Sequence, residues 1–155
     1  MIHHISITAY EPFHVAQVLA ELLQGQAVPF PDHLDGFVAL SLDAHGTLIV
    51  VLPRSLEIKP GLDGEPAQWC TNLDCSTTYS AVHAAISVLL SEAEIAAIAE
   101  REGWRMVRCD RGEEFFSVIE LWVENHQLIE LLTPELAAGY LDFMQPQNLR
   151  QFMAS

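Results

Sequence analysis

Residues 2–9 alternate between apolar and polar, with Ile5 and Ile7 on one side and His4, Ser6 and Thr8 on the other. That two-residue period predicts a half-buried strand. Residues 12–24 change to helical spacing through Phe13, Ala16, Leu19, Leu22 and Leu23, with Gly25 as a C-cap. Residues 37–43 and 47–52 then form a hairpin around the turn Asp43-Ala44-His45-Gly46. The order restarts further on. A strand over 82–89 precedes Ser91-Glu92-Ala93-Glu94, whose S-x-x-E spacing is that of a capping box. Ile95, Ile98 and Ala99 continue a helix that Gly103 ends, and strands follow at 104–110, 115–123 and 127–132. Thr133 and Pro134 make an N-cap and first-turn pair for a C-terminal helix over 134–153, which carries Leu136, Tyr140, Leu141 and Phe143. That helix is expected to be a lid, a packing helix or a dimer contact.

The two halves are copies of one unit. His4-Ile5-Ser6-Ile7-Thr8-Ala9 matches His83-Ala84-Ala85-Ile86-Ser87-Val88, and Thr47-Leu48-Ile49-Val50-Val51-Leu52 matches Gln127-Leu128-Ile129-Glu130-Leu131-Leu132. The two offsets differ by a single residue, which chance matches would not do. A module of about 50 residues is too small to bury an apolar sheet alone. The chain 1–155 is therefore expected to be one domain, with modules 2–52 and 81–132 joined by the loop 53–80. That loop is rich in Pro and Gly and lacks periodicity, which suits a connection able to cover one end of a site.

Composition narrows the function classes. Half of the chain is apolar, which argues against disorder. The net charge of −14, from 21 acidic and 7 basic residues, repels phosphate backbones and anionic lipid, so nucleic acid and membrane are not expected partners. The longest aliphatic run, 48–52, is far short of the ~18 residues a membrane span needs. No basic, apolar-flanked leader is evident, and the expected address is the cytoplasm. Three cysteines, Cys70, Cys75 and Cys109, lack CxxC spacing and are expected as free thiols. Arg101, Arg105, Arg108 and Arg111 cluster, either as a solvated helix end and strand or as an anion or carboxylate contact.

A strand opening on His, then helix and three strands, all repeated, resembles the vicinal oxygen chelate superfamily of glyoxalase, bleomycin-resistance and extradiol-dioxygenase-like proteins. The resemblance covers about residues 2–132. It implies an α+β fold of two tandem βαβββ modules whose eight strands form a cupped mixed sheet, with helices on the outer face. It also implies metal ligands on the first and last strand of each module. Carried over, those positions are His4, Val50, His83 and Glu130. Three can coordinate, and Val50 cannot. Two imidazoles and a carboxylate with open positions suit Fe(II), and Mn, Co, Ni or Zn also bind such sets. An ionised Glu130 in the apolar run 128–132 is costly unless paired or bound to a cation.

Other polar and aromatic residues compete with these. His3 alternates to the opposite face from His4 and is the competing ligand. His14 falls in a helix, His33 in a loop, and His45 and His126 in hairpin turns, where polar residues are ordinary. Tyr79 stands at the entrance to the second module. Glu120, between apolar neighbours, is an exposed alternate position or a general base. Trp69, Trp104, Trp122 and Phe115 line the cup or fill the core. No nucleophile elbow, phosphate loop, dinucleotide fingerprint or HExxH helix occurs. The resemblance implies a small-molecule ligand bound through vicinal oxygens to a divalent metal, with lyase, isomerase and dioxygenase chemistry all open. The alternatives are a metal-free binding or sequestration module and a non-catalytic structural protein. A homodimer suits each of them.

Overall fold

The computed structural model describes residues 4–59, 68–72, 79, 82–111 and 116–148. The expectations for His3, Cys75 and Phe115 lie outside the described residues. The chain divides into two compact units, Met1–Tyr79 and Ser80–Ser155.

The first unit runs β1 (His4–Ala9), α1 (Pro12–Leu22), β2 (Gln26–Pro29), β3 (Phe37–Leu40) and β4 (Leu48–Pro53), then a hairpin of β5 (Leu56–Lys59) and β6 (Gln68–Thr71). Its four-stranded sheet has the order β1-β4-β3-β2, with β1 parallel to β4 and the rest antiparallel. Strand alternation gives the sheet two different faces. Ile7, Ala9, Ala39, Ile49 and Val51 are buried with Val15, Ala16, Val18, Leu19 and Leu22 of α1. The contact of Phe13 on α1 with Phe37 on β3, at 4.8 Å between ring centroids, confirms which face α1 covers. Phe13 is itself largely exposed, so it belongs to the rim of the apolar stripe rather than to its centre.

Helix α1 ends differently from the sequence expectation. Gln24 takes the left-handed conformation at φ 52°, and the Gly25 N–H donates to the Ala20 carbonyl at 2.8 Å. This is the six-to-one bond of a Schellman ending, so Gly25 sits one residue past the left-handed position. What requires glycine there is space. A Cβ on Gly25 would lie 1.7 Å from the Leu40 carbonyl oxygen.

The second unit runs β7 (Ala85–Ser87), α2 (Glu92–Glu102), β8 (Arg105–Asp110), β9 (Ser117–Val123), β10 (Gln127–Leu132) and α3 (Pro134–Phe143). Its sheet order is β7-β10-β9-β8, with β7 parallel to β10 and the rest antiparallel. Both units thus have the expected βαβββ order, and their registers correspond: Ser6 pairs with Val50, and Ala85 pairs with Glu130. The eight strands of the two modules are hydrogen-bonded as two sheets of four among the described residues.

Local signals in the second unit act as the sequence implies. The Ser91 hydroxyl accepts from the Glu94 N–H, and the Glu94 carboxylate accepts from the Ser91 N–H at 2.8 Å. Those bonds lower the Glu94 carboxyl below its usual range, the Ser91 hydroxyl contributing most. Gly103 takes φ 67° to end the helix. Ile119, Leu121, Val123, Ile129 and Leu131 are buried with Ile95, Ile98 and Ala99 of α2. The Arg108–Glu92 ion pair at 2.7 Å marks this as the α2 face.

Five readings change. Strand 82–89 contracts to Ala85–Ser87, because the lead-in from Val82 is held to β10 by single hydrogen bonds instead of a ladder. Helix 134–153 stops at Phe143, close before Pro146, which has no N–H to continue it. The four-residue β2 ends at Pro29 and is too short to show a period. The loop 53–80 contains the β5–β6 hairpin, joined by pairs such as Ile58 with Trp69. His126 is buried, not a solvated turn residue.

Candidate functional site on the second sheet

The sheet faces opposite α1 and α2 are where the candidate residues lie, and they differ in chemistry. In the first unit, His4, Ser6 and Thr8 share a face with Leu48, Val50 and Leu52, as their register requires. His4 is exposed at the start of β1. Val50 is 5% exposed, in a cluster with Val38, Leu52 and Leu56, and Val28, Phe30, Leu40 and Leu48 pack around it. Leu56 comes from β5, and Phe30 meets Trp69 of β6 edge-on at 6.4 Å. The hairpin therefore helps to seal this face with apolar side chains.

The corresponding face of the second unit is charged. Register places Val107 with Glu120, Arg105 with Trp122, and Glu120 directly across from Glu130. Two like charges opposite one another on adjacent strands repel. Arg111, just past β8, resolves the conflict. Its Nη2 donates to Glu120 Oε1 at 3.0 Å and also to Glu130 Oε1. The Arg111 N–H donates to the Phe116 carbonyl at 2.8 Å, which extends the β8–β9 ladder and fixes where the guanidinium reaches. The three side chains are partly shielded, with 38% exposure for Arg111, 18% for Glu120 and 13% for Glu130.

The electrostatics follow from those contacts. The hydrogen bond to Glu130 raises the Arg111 guanidinium above its already high value, against the opposing effect of burial. Burial opposes ionisation of Glu120, but hydrogen bonds from Arg111, Trp122 and Cys109 together outweigh it and hold the carboxyl below its usual range. The Trp122 contact, Nε1 to Glu120 Oε2, is long at 3.4 Å. Cys109 is pushed up by burial and then by the neighbouring Glu120 charge, so this free thiol is a poor nucleophile at neutral pH. At the far end of the face, Tyr140 and Phe143 of α3 pack on Phe116 at 4.9 and 5.4 Å, which makes α3 a packing helix of this unit.

Of the expected ligands, Glu130 therefore lies on the face away from α2, as the metal reading requires. His83 is exposed in the segment leading into β7. That segment is anchored to β10 twice: Gln127 Nε2 donates to the Val82 carbonyl at 2.7 Å, and the Glu130 N–H donates to the Ala84 carbonyl at 2.9 Å. His83 thus sits between two fixed points beside β10. His14 and His45 are exposed, and His33 accepts a bond from the Asp35 N–H within its loop. Glu120, left open between surface position and base by the sequence, is half of an ion pair. Arg111 makes the carboxylate contact that was one of the two readings of the arginine cluster, with Glu120 and Glu130 as partners the sequence did not name. Its signal was the two-residue period that puts Cys109 and Arg111 on one face of β8.

The donor types of His4, His83 and Glu130 suit a divalent cation. In this structure the Glu130 carboxylate is engaged by a resident cation, Arg111, and that pairing already meets the cost of its burial. Among the described residues, no three His, Cys, Asp or Glu side chains are gathered as a metal would hold them. No helix among the described residues is long and apolar enough to cross a membrane.

No family model and no curated protein matches this sequence. Solved structures do. A variant of the fosfomycin resistance protein FosX from Listeria monocytogenes, complexed with Mn(II) and dihydroxypropylphosphonic acid, aligns at TM-score 0.58 and 14% identity over 98% of this chain and 97% of that one. The same protein with Mn(II) and sulfate aligns at TM-score 0.55 and 14% identity, over 94% and 98%. A protein assigned to the glyoxalase family from Bacillus anthracis aligns at TM-score 0.50 and 14% identity, over 84% and 92%. At these identities the likeness is one of fold: the chain has the fold of these fosfomycin resistance and glyoxalase-family proteins.

Proposed function

We propose that this chain is a glyoxalase- or dioxygenase-like protein that binds a small molecule against the Glu130 face of its second sheet. In this reading a divalent metal is held by His4, His83 and Glu130. The observation that carries it is the contrast between corresponding faces: the first is apolar and sealed at Val50, the second holds Glu130, Glu120, Arg111 and Trp122. The matching positions of His4 and His83, and the Mn(II) in the FosX structures of the same fold, support the metal. When bound, such a metal supplies Lewis-acid polarisation of a carbonyl or enolate oxygen. The protein's part is to offer three ligands, leave open positions for two adjacent substrate oxygens, and hold Glu130 against β7. A cytoplasmic address and a homodimeric assembly belong to the same reading.

A second reading, metal-free binding or sequestration, is favoured by one specific observation: Arg111 already neutralises Glu130. Calorimetric titration of Mn(II), Fe(II), Co(II), Ni(II) and Zn(II) into untagged, chelator-stripped full-length protein separates the two. The metal reading expects saturable binding that His4→Ala and His83→Ala abolish and that His14→Ala and His45→Ala leave intact. No binding of any of these ions to wild-type protein would overturn the metal reading and leave metal-free binding or a structural role.

A further inference from the structure

We infer that Arg105 and Trp122 take the carboxylate end of the ligand on this face, so that the ligand is a small organic anion with a flat apolar body. This rests on the reading that a small molecule binds the Glu130 face, with or without a metal. Of the four clustered arginines, three are engaged: Arg101 with Glu102, Arg108 with Glu92, and Arg111 with Glu120 and Glu130. The Arg105 guanidinium is in no ion pair among the described residues, in a chain with 21 acidic residues to choose from. Register sets Arg105 directly across from Trp122, and Trp122 across from Leu128, so the three share the face that carries Glu130. Arg105 is exposed, and Trp122 and Leu128 are half-buried. Adjacent strands lie about 4.8 Å apart, so this row spans about 10 Å, room for one small ring. The Arg105 backbone is fixed: its N–H donates to Asn125 Oδ1 at 2.7 Å, and Asn125 Nδ2 donates to the Gly103 carbonyl at 2.9 Å. Helix α3 packs at the opposite end of the face, on Phe116. The other charges leave an anion only this place. Arg111 is engaged by Glu120 and Glu130, and those carboxylates repel a further anion. A guanidinium matches a carboxylate through two parallel N–H bonds, and an indole stacks on a flat ring. The Trp122 N–H is directed at Glu120, so the ring is what it offers a ligand. The net charge of −14 repels anions at long range, but salt screens it beyond about 8 Å, and the local contact decides.

Benzoate, benzamide and benzamidine share one shape and carry a negative, no and a positive charge. Each is titrated into the full-length protein and followed by the Trp122 indole N–H signal in proton–nitrogen NMR spectra, assigned with Trp122→Phe. Benzoate should bind about tenfold more tightly than benzamide, the worth of one charge-assisted contact, and benzamidine should bind most weakly. Arg105→Met should weaken benzoate by the same factor and leave benzamide unchanged. Arg105→Gln serves the same purpose should the Met variant fail to fold, with circular dichroism checking each. Arg101→Met removes an equal charge from α2 and should leave both probes unchanged. A merely solvated Arg105 would make benzoate binding indifferent to its removal. Benzoate binding that is no tighter than benzamide, that survives loss of Arg105, or that falls equally with Arg101→Met overturns the inference, as does benzamidine binding best. In each of these cases a small molecule still binds the face, and that reading stands. No response of the Trp122 signal to any of the three probes overturns the inference and small-molecule binding on this face together.

Discussion

Val50→Glu tests whether the first unit's face is as closed as its packing indicates. Val50 and Glu130 occupy the same register position in their units, so the substitution makes the two alike in sequence but not in surroundings. Val50 is 5% exposed among Val38, Leu52 and Leu56, all of them apolar. Losing the valine costs about 1.5 kcal/mol of apolar burial. Burial without a partner raises a carboxyl by roughly 2–4 pH units, and at 1.36 kcal/mol per unit this adds about 3–5 kcal/mol while the group is ionised. The sign is set by the raised folded value. The native state holds its proton where the unfolded state has lost it, so stability falls as pH rises towards the folded value. The expected deficit against wild type is about 5 kcal/mol at pH 8, shrinking to about 2 kcal/mol near pH 5 as the proton is retained. Urea denaturation of both proteins at the two pH values measures it. Val50→Thr, which carries no charge, should show a smaller deficit with no such pH dependence. A Val50→Glu protein as stable as wild type at pH 8, or with a deficit independent of pH, would refute the sealed face.

Three further outcomes follow from the local geometry. Gly25→Ala should be strongly destabilising, by more than 2 kcal/mol, because its Cβ would lie 1.7 Å from the Leu40 carbonyl oxygen and backbone must give way; a thermal melt within 2 °C of wild type would contradict it. Ser91→Ala removes the hydroxyl of the capping box and should cost about 1 kcal/mol in a denaturant titration. The Asp43 carboxyl, lowered chiefly by the Thr47 side chain and then by the Thr47 and His45 N–H groups, should titrate at about 2 by NMR. Because its folded value is depressed, any stability it lends is present above its ordinary value and lost as pH falls towards 2. Thr47→Val should bring the carboxyl back up.

What the sequence disclosed is what short-range periodicity and turn chemistry encode. The alternation in β1, the Ser91–Glu94 box, Gly103 and the Thr133–Pro134 pair are each decided within a few residues, and the structure realises them. The correspondence of Val50 with Glu130 came from the repeat and holds in the strand register. The partner of Glu130 was not readable in that way. Arg111 reaches Glu130 only through two consecutive antiparallel registers, β8 on β9 and β9 on β10, and neither is fixed by local pattern. The sealing of Val50 was hidden for a related reason. Leu56 lies in a stretch whose Pro and Gly content masks a four-residue strand, and its effect depends on the packing of that hairpin. His126 looked like any polar turn residue, because burial depends on neighbours that a sequence window does not contain.

The same position in two copies of one module has thus met opposite conditions. At Val50 the neighbours are apolar, and the side chain contributes by being excluded from water. At Glu130 the cross-strand neighbour is another glutamate, an arrangement unstable by itself. Two carboxylates facing each other on half-buried strands could be relieved by changing either to an apolar residue, as the first unit has done. The second unit instead retains both and supplies Arg111, a solution that fixes three side chains to place one charge. Replacing such a network by apolar packing is often neutral or stabilising. Stability alone therefore gives little reason for it, and the proposed ligand, with or without a metal, would use the charge it places beside Trp122 and Cys109.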